Sequence, residues 1–140
     1  MRILLKTALL LGLLLTVASA FAAGARQRGK LEQVQNAYAA AIRWGDFETA
    51  WQYVEPAYAA AHPMGEFEFR RYEQVQVSGY RDLSSMAEPG GVVVRAIEVR
   101  VINKHTQAER SLRYRERWRW DEEGKRWWLV AGLPDFWEGE

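Results

Sequence analysis

The stretch RYRERWRW, Arg113 to Trp120, separates into two sets when every second residue is read. One set is Arg113, Arg115, Arg117 and Arg119; the other is Tyr114, Glu116, Trp118 and Trp120. Strand side chains alternate between faces with a period of two, whereas a helix would mix the two sets. The segment therefore predicts a β-strand with an arginine face and an aromatic face. Extended backwards it becomes RSLRYRERWRW, and Leu112 joins the aromatic row.

Neighbouring segments have the same character. VVVRAIEVRVIN is rich in β-branched residues, and its Ile97, Val99 and Val101 alternate with Glu98 and Arg100. KHTQAE connects these two strands. Simple closure of that loop over 103–109 places Glu98 near Arg115 and Arg100 near Arg113. DEEGK forms a tight turn with Gly124 suited to a positive φ, and RWWLVAGL is the last strand before Pro134. Upstream, VQVSGY opens the strand-rich half. The residues between Tyr80 and Val92 can carry further strand before the Pro89-Gly90-Gly91 turn.

Ahead of the strands the pattern is helical. LEQVQNAYAAAIRW repeats Leu31, Val34, Tyr38, Ala41 and Ile42 at helical spacing. Gly45 ends that helix and Asp46 caps the next, FETAWQYV, whose Phe47, Ala50, Trp51 and Val54 share a face. Pro56 starts a short third piece ended by His62-Pro63, and GEFEFRRYEQV is a fourth helical segment. Helices followed by an antiparallel meander of about four strands predict an α+β fold, the helices packed on one face of a curved sheet.

The first residues have a different composition. Arg2 and Lys6 precede an uncharged apolar run that ends in Ala-x-Ala spacing at Ala18-Ser19-Ala20 or Ala20-Phe21-Ala22. A charged start, an apolar middle and a small-residue exit read as a signal peptide over residues 1–22. Residues 23–30, AGARQRGK, read as a flexible linker, and residues 31–140 as one domain. The expected compartment is the periplasm, with no stable membrane span after cleavage; an uncleaved leader anchoring the chain in the inner membrane is the alternative. The chain has no cysteine, so neither disulfides nor a thiol nucleophile is available, and the core must supply stability. Its 7 Trp, 6 Tyr and 5 Phe provide large buried areas for that purpose.

Charge narrows the partners. The whole chain carries 19 Lys and Arg against 18 Asp and Glu. Arg2 and Lys6 leave with the leader, which takes the balance to about −1. A general attraction to nucleic acid is not expected.

The order of elements resembles the NTF2-like (cystatin-like, SnoaL-type) superfamily. The residues that carry the resemblance are Tyr38, Ala41, Gly45, Asp46, Trp51, Pro56, Trp118, Trp120, Gly124, Trp127 and Trp128, across roughly Leu31 to Leu133. The resemblance implies a cone-shaped domain with a pocket between sheet and helices. It implies no single activity, because members include isomerases, dehydratases, scaffold modules and secretion-system parts.

Two constellations carry candidate chemistry. The first is the arginine row, with guanidinium positions roughly 7 Å apart along the strand. It is either a solvated face eased by neighbouring acids and by Trp127 or Trp128 beneath a guanidinium, or a contact for an anionic partner. The second is Glu116 inside an aromatic row. A carboxylate placed there must be paired, protonated or lining a cavity. Arg95 shares the phase of Ile97 and Val99 and is the expected partner; Tyr114 and Trp118 flank Glu116 on its own face. In the resembled enzymes a pocket-facing carboxylate acts as general base, so Glu116 with Tyr114 as hydrogen-bond donor is the catalytic candidate. Arg95, Arg113, Arg115, Arg117, Arg119, Trp118 and Trp120 are the binding candidates. His62 and His105 have no metal-ligand spacing, and neither a metal nor another cofactor is expected. The favoured reading is a non-catalytic binding or assembly module whose partner is an envelope protein or a small anionic or apolar ligand. A pocket isomerase or dehydratase, and a structural homodimer joined through the sheet face, are the alternatives. Phe136 and Trp137 in PDFWEGE either fold back onto the sheet or form an adhesive patch.

Overall fold

A strand that is apolar on one face needs a cover, and the helical segments ahead of the strands supply it. The structure, a computed structural model, describes the backbone of residues 2–138 and the side chains of residues 23–138. The leader expected over residues 1–22 lies outside the fully described residues. The elements are α1 (Arg2–Trp44), α2 (Phe47–Trp51), α3 (Pro56–Ala61), α4 (Glu66–Tyr72), β1 (Val75–Glu88), β2 (Val92–Asn103), β3 (Glu109–Asp121) and β4 (Arg126–Leu129). The strands form one antiparallel meander in the order β1-β2-β3-β4, so the α+β architecture of helices followed by an open sheet is observed. Among the described residues, no helix is long and apolar enough to cross a membrane.

Local signals set most boundaries. Gly45 adopts φ +71°, the left-handed conformation that glycine enters without steric cost, and α1 stops there. Asp46 then caps α2, its Oδ1 accepting from the Thr49 amide at 3.1 Å. Replacing this cap, Asp46→Ala, is expected to cost about 1 kcal/mol. A urea melt should show a lower midpoint at unchanged slope.

The core lies between α1, with α2 packed beside it, and the sheet. Tyr38 and Ile42 of α1 and Ala50 of α2 are fully buried, as are Ile97, Val99 and Trp118 from the strands. Tyr38 meets Trp118 edge-on with ring centroids 5.4 Å apart, a favourable aromatic geometry. Strand β1 keeps its apolar residues inward through a bulge. Val77 pairs with Val101, but Tyr80 pairs with Val99, so one extra residue is accommodated between them. Gly79 lies at the bulge, where a Cβ would come 2.9 Å from Nε of the exposed Arg100 side chain and displace it.

Several expectations are corrected. Residues 23–30 continue α1 instead of forming a loose linker. Gln27 O accepts from Trp127 Nε1 at 2.9 Å, and Lys30 Nζ donates to Lys125 O at 2.9 Å. An existing helix propagates cheaply through Ala, Arg and Gln, and these contacts hold it against the sheet. The second helix ends at Trp51, because Val54 instead bridges to Leu129. Strand β4 stops at Leu129, whose amide and carbonyl are taken up by Tyr53 O and Glu55 N. The positive φ in the DEEGK turn falls on Lys125 (φ 51°), not Gly124. Gly124 is required for space, since a Cβ would come within 2.6 Å of Asp121 Oδ2.

The register of β2 and β3 also differs by two residues. Glu98 faces Arg113, Ala96 faces Arg115, and Arg100 faces Ser111. Asn103 Oδ1 accepts from the amides of His105 and Thr106 and folds the loop tightly, so pairing already includes Ile102 and Glu109. At the C-terminus Phe136 folds back into the core that the helices and the sheet share. It is buried beside Phe47 and Tyr72 at 5.9 and 5.6 Å. The Tyr72 hydroxyl donates to Pro134 O at 2.9 Å, and Arg71 lies 4.0 Å over the Trp137 ring.

Candidate functional site

Strand alternation places Glu116 inward, between Tyr114 and Trp118 and opposite Arg95. Its side chain is 1% exposed. Five donors converge on it. Arg95 donates to Oε2 through Nε at 3.1 Å and Nη2 at 2.9 Å. Trp118 Nε1 donates to the same oxygen at 3.0 Å. On Oε1 the donors are the hydroxyls of Tyr114, at 3.1 Å, and Tyr80. Arg95 Nη2 also donates to the Tyr80 hydroxyl at 2.9 Å, closing the network.

This arrangement explains how an acid sits in an aromatic row. A carboxylate offers about four lone-pair sites, and the five donors occupy them all. Burial pushes the hydroxyls of Tyr80 and Tyr114 well above the ordinary tyrosine range, and the Glu116 charge adds to that. Tyr38 is raised for the same two reasons. For Arg95, burial works to lower the pKa, but the attraction and hydrogen bonds of Glu116 outweigh it and the net direction is up. The arginine therefore stays charged. Gln35 Nε2 and Tyr38 Oη of α1 are buried without a hydrogen-bond partner among the described residues.

The outer face of the sheet is built differently. Arg113, Arg115, Arg117 and Arg119 are all exposed there. Acids from several elements partner three of them. Glu98 bridges Arg81 at 2.7 Å and Arg113 at 3.0 Å. Glu88 binds Arg117 at 2.9 Å, and Glu55, on the link before α3, binds Arg119. The hydrogen bond from Arg113 holds the Glu98 carboxyl below its ordinary range, partial desolvation opposes this, and Arg81 reinforces it. Because the folded pKa is depressed, this contribution is present above the ordinary glutamate pKa and is lost as pH falls through the folded one. Of Trp127 and Trp128, it is Trp128 that lies under a guanidinium, and its arginine is Arg126 of β4, 3.5 Å away, not a member of the row.

The sequence candidates therefore fall into two groups on opposite faces. Glu116, Tyr114, Trp118 and Arg95 meet in the interior; Trp118 is 0% exposed. The four arginines of the row lie outside. Trp120 is half-buried, with Lys30 Nζ 5.6 Å over its ring. Tyr80 belongs to the interior network and was not among the candidates. Its only sequence signal is the glycine before it, which marks a bulge that resets the alternation. Among the described residues no cluster of His, Cys, Asp or Glu has the arrangement of a metal site. His62 instead stacks on Tyr58 at 4.2 Å.

No known protein family matches the chain, and no curated protein matches it in sequence.

Proposed function

We propose that this chain is an exported, non-catalytic binding or assembly module of the cell envelope, which contacts an anionic partner through the outer face of its sheet. The observation that carries the reading is the opposite treatment of the two charged constellations. Glu116 is buried and its acceptor sites are used internally, which leaves no lone pair for a substrate proton. The arginine row is exposed and only partly compensated. A pocket enzyme of isomerase or dehydratase type would need the reverse at Glu116. The charged, apolar and Ala-x-Ala succession in residues 1–22 supports export to the periplasm. The long first helix and the curved meander support an NTF2-like cone.

The test is retention of envelope-extract components on the immobilised domain, at low and high salt. Arg115→Glu together with Arg117→Glu is expected to reduce retention about tenfold, and salt should weaken the wild type as it screens exposed charge. Retention that survives both the charge reversal and high salt overturns the reading.

A further inference from the structure

The register lays the outer face out in cross-strand rows. One row is Arg81, Glu98 and Arg113, joined by two salt bridges. Another is Met86, Val94 and Arg117, with Glu88 binding the arginine. Between them lies the row Ser84, Ala96 and Arg115. Its two other members are small, and among the described residues Arg115 has no acid partner. By side-chain size a notch crosses the sheet between two taller rows, and it leads to a guanidinium that no acid among the described residues engages.

Resting on the reading above, we infer that this notch takes an acidic side chain from an extended segment of a partner protein. The neighbouring arginines show the chemistry: each is gripped by a glutamate drawn from β1, β2 or the link before α3. Opposite Arg115 stands Ala96, where Arg113 has Glu98, and no other described acid reaches it as Glu88 reaches Arg117 and Glu55 reaches Arg119. An extended peptide presents side chains on one face about every 7 Å, the same interval as the arginines of β3. Its central carboxylate reaches Arg115, and the next ones fall beside Arg113 and Arg117, whose guanidiniums each keep donors to spare. The exposed Met86 side chain, 64% accessible, offers an apolar contact at the notch wall. A bilayer surface fits less well. Its attraction scales with the number of uncompensated cations, and among the described residues the central row of this face offers one unpaired arginine.

The experiment follows the Arg115 Nε–Hε resonance of the full domain by NMR. Three probes are titrated: a capped decapeptide of alternating Glu and Thr, inorganic phosphate, and phosphatidylcholine vesicles doped with phosphatidylglycerol. The peptide is expected to shift Arg115 saturably. Ala96→Glu, which supplies the missing acid from within the chain, should weaken peptide binding about tenfold while Arg115 remains in place. Peptide binding unaffected by Ala96→Glu overturns the inference. A response to vesicles or phosphate but not to peptide also overturns it, yet leaves the anionic-face reading standing. Silence towards all three probes overturns the inference, and the extract retention then decides the broader reading separately.

Discussion

Glu116→Gln should destabilise the folded domain by roughly 3–5 kcal/mol, the usual cost of breaking a buried ion pair from one side. The physical reason lies in the donors. An amide keeps the shape but replaces one acceptor oxygen with an NH2 group. Either the Tyr80 and Tyr114 hydroxyls or the Arg95 and Trp118 donors then face another donor. The Arg95 guanidinium, 8% exposed, also loses its counter-charge in the interior. Domains of this size hold roughly 5–15 kcal/mol in total, so much of the stability goes. A urea melt at neutral pH measures it, and a loss below about 1 kcal/mol would mean that water reaches the carboxylate. Removing both partners is a different experiment. Arg95→Met with Glu116→Leu leaves no unpaired charge and should recover most of the loss, because well-packed apolar residues often replace a buried pair without net cost. The tyrosine hydroxyls left over set the remainder.

Alkaline pH should unfold the protein cooperatively. Burial raises the pKa of Tyr38, Tyr72, Tyr80 and Tyr114 above the ordinary tyrosine value of 10.0, with the charges of Glu116, Asp135 and neighbouring phenols adding to it. Above pH 10 the unfolded chain releases these protons while the folded one keeps them. The unfolded state then binds fewer protons, so stability falls as pH rises. The stabilisation is complete below the unfolded pKa and is lost as pH climbs through the folded values. Each such tyrosine removes up to about 1.4 kcal/mol per pH unit, and four act together. Tyrosinate absorbance should therefore show a group of phenols that ionise only in a step coincident with loss of near-ultraviolet circular dichroism. Smooth ionisation of all six tyrosines in a domain that stays folded would contradict this account.

The sequence was most legible where period and chemistry agreed. Four arginines alternating with Tyr, Glu and two Trp residues admit one strand and two faces, and β3 has both. Phase alone also pointed from Glu116 to Arg95, since a strand facing an acid must bring a cation on the inward alternation. Legibility ended where single residues shift the phase. The β1 bulge turns Tyr80 inward in defiance of simple alternation, so half of the hydroxyl support for Glu116 was hidden. The Asn103 turn shortened a loop and moved every pair between β2 and β3 by two positions. That shift left Glu98 with Arg113 and Ala96 with Arg115, so the row's vacant position could be found only from the structure. Residues 23–30 looked loose by composition, but a helix already nucleated downstream and two contacts to the β3–β4 turn and β4 fix them.

The central claim is that the buried carboxylate serves the fold and the outer arginine face serves the partner. The direct measurement compares envelope-extract retention by three proteins at one salt concentration: the wild type, Arg95→Met/Glu116→Leu, and Arg115→Glu/Arg117→Glu, each shown to be folded by circular dichroism. The account predicts that the interior double variant retains what the wild type retains and that the surface double variant loses about tenfold. Loss in the interior variant with full retention in the surface variant would contradict it.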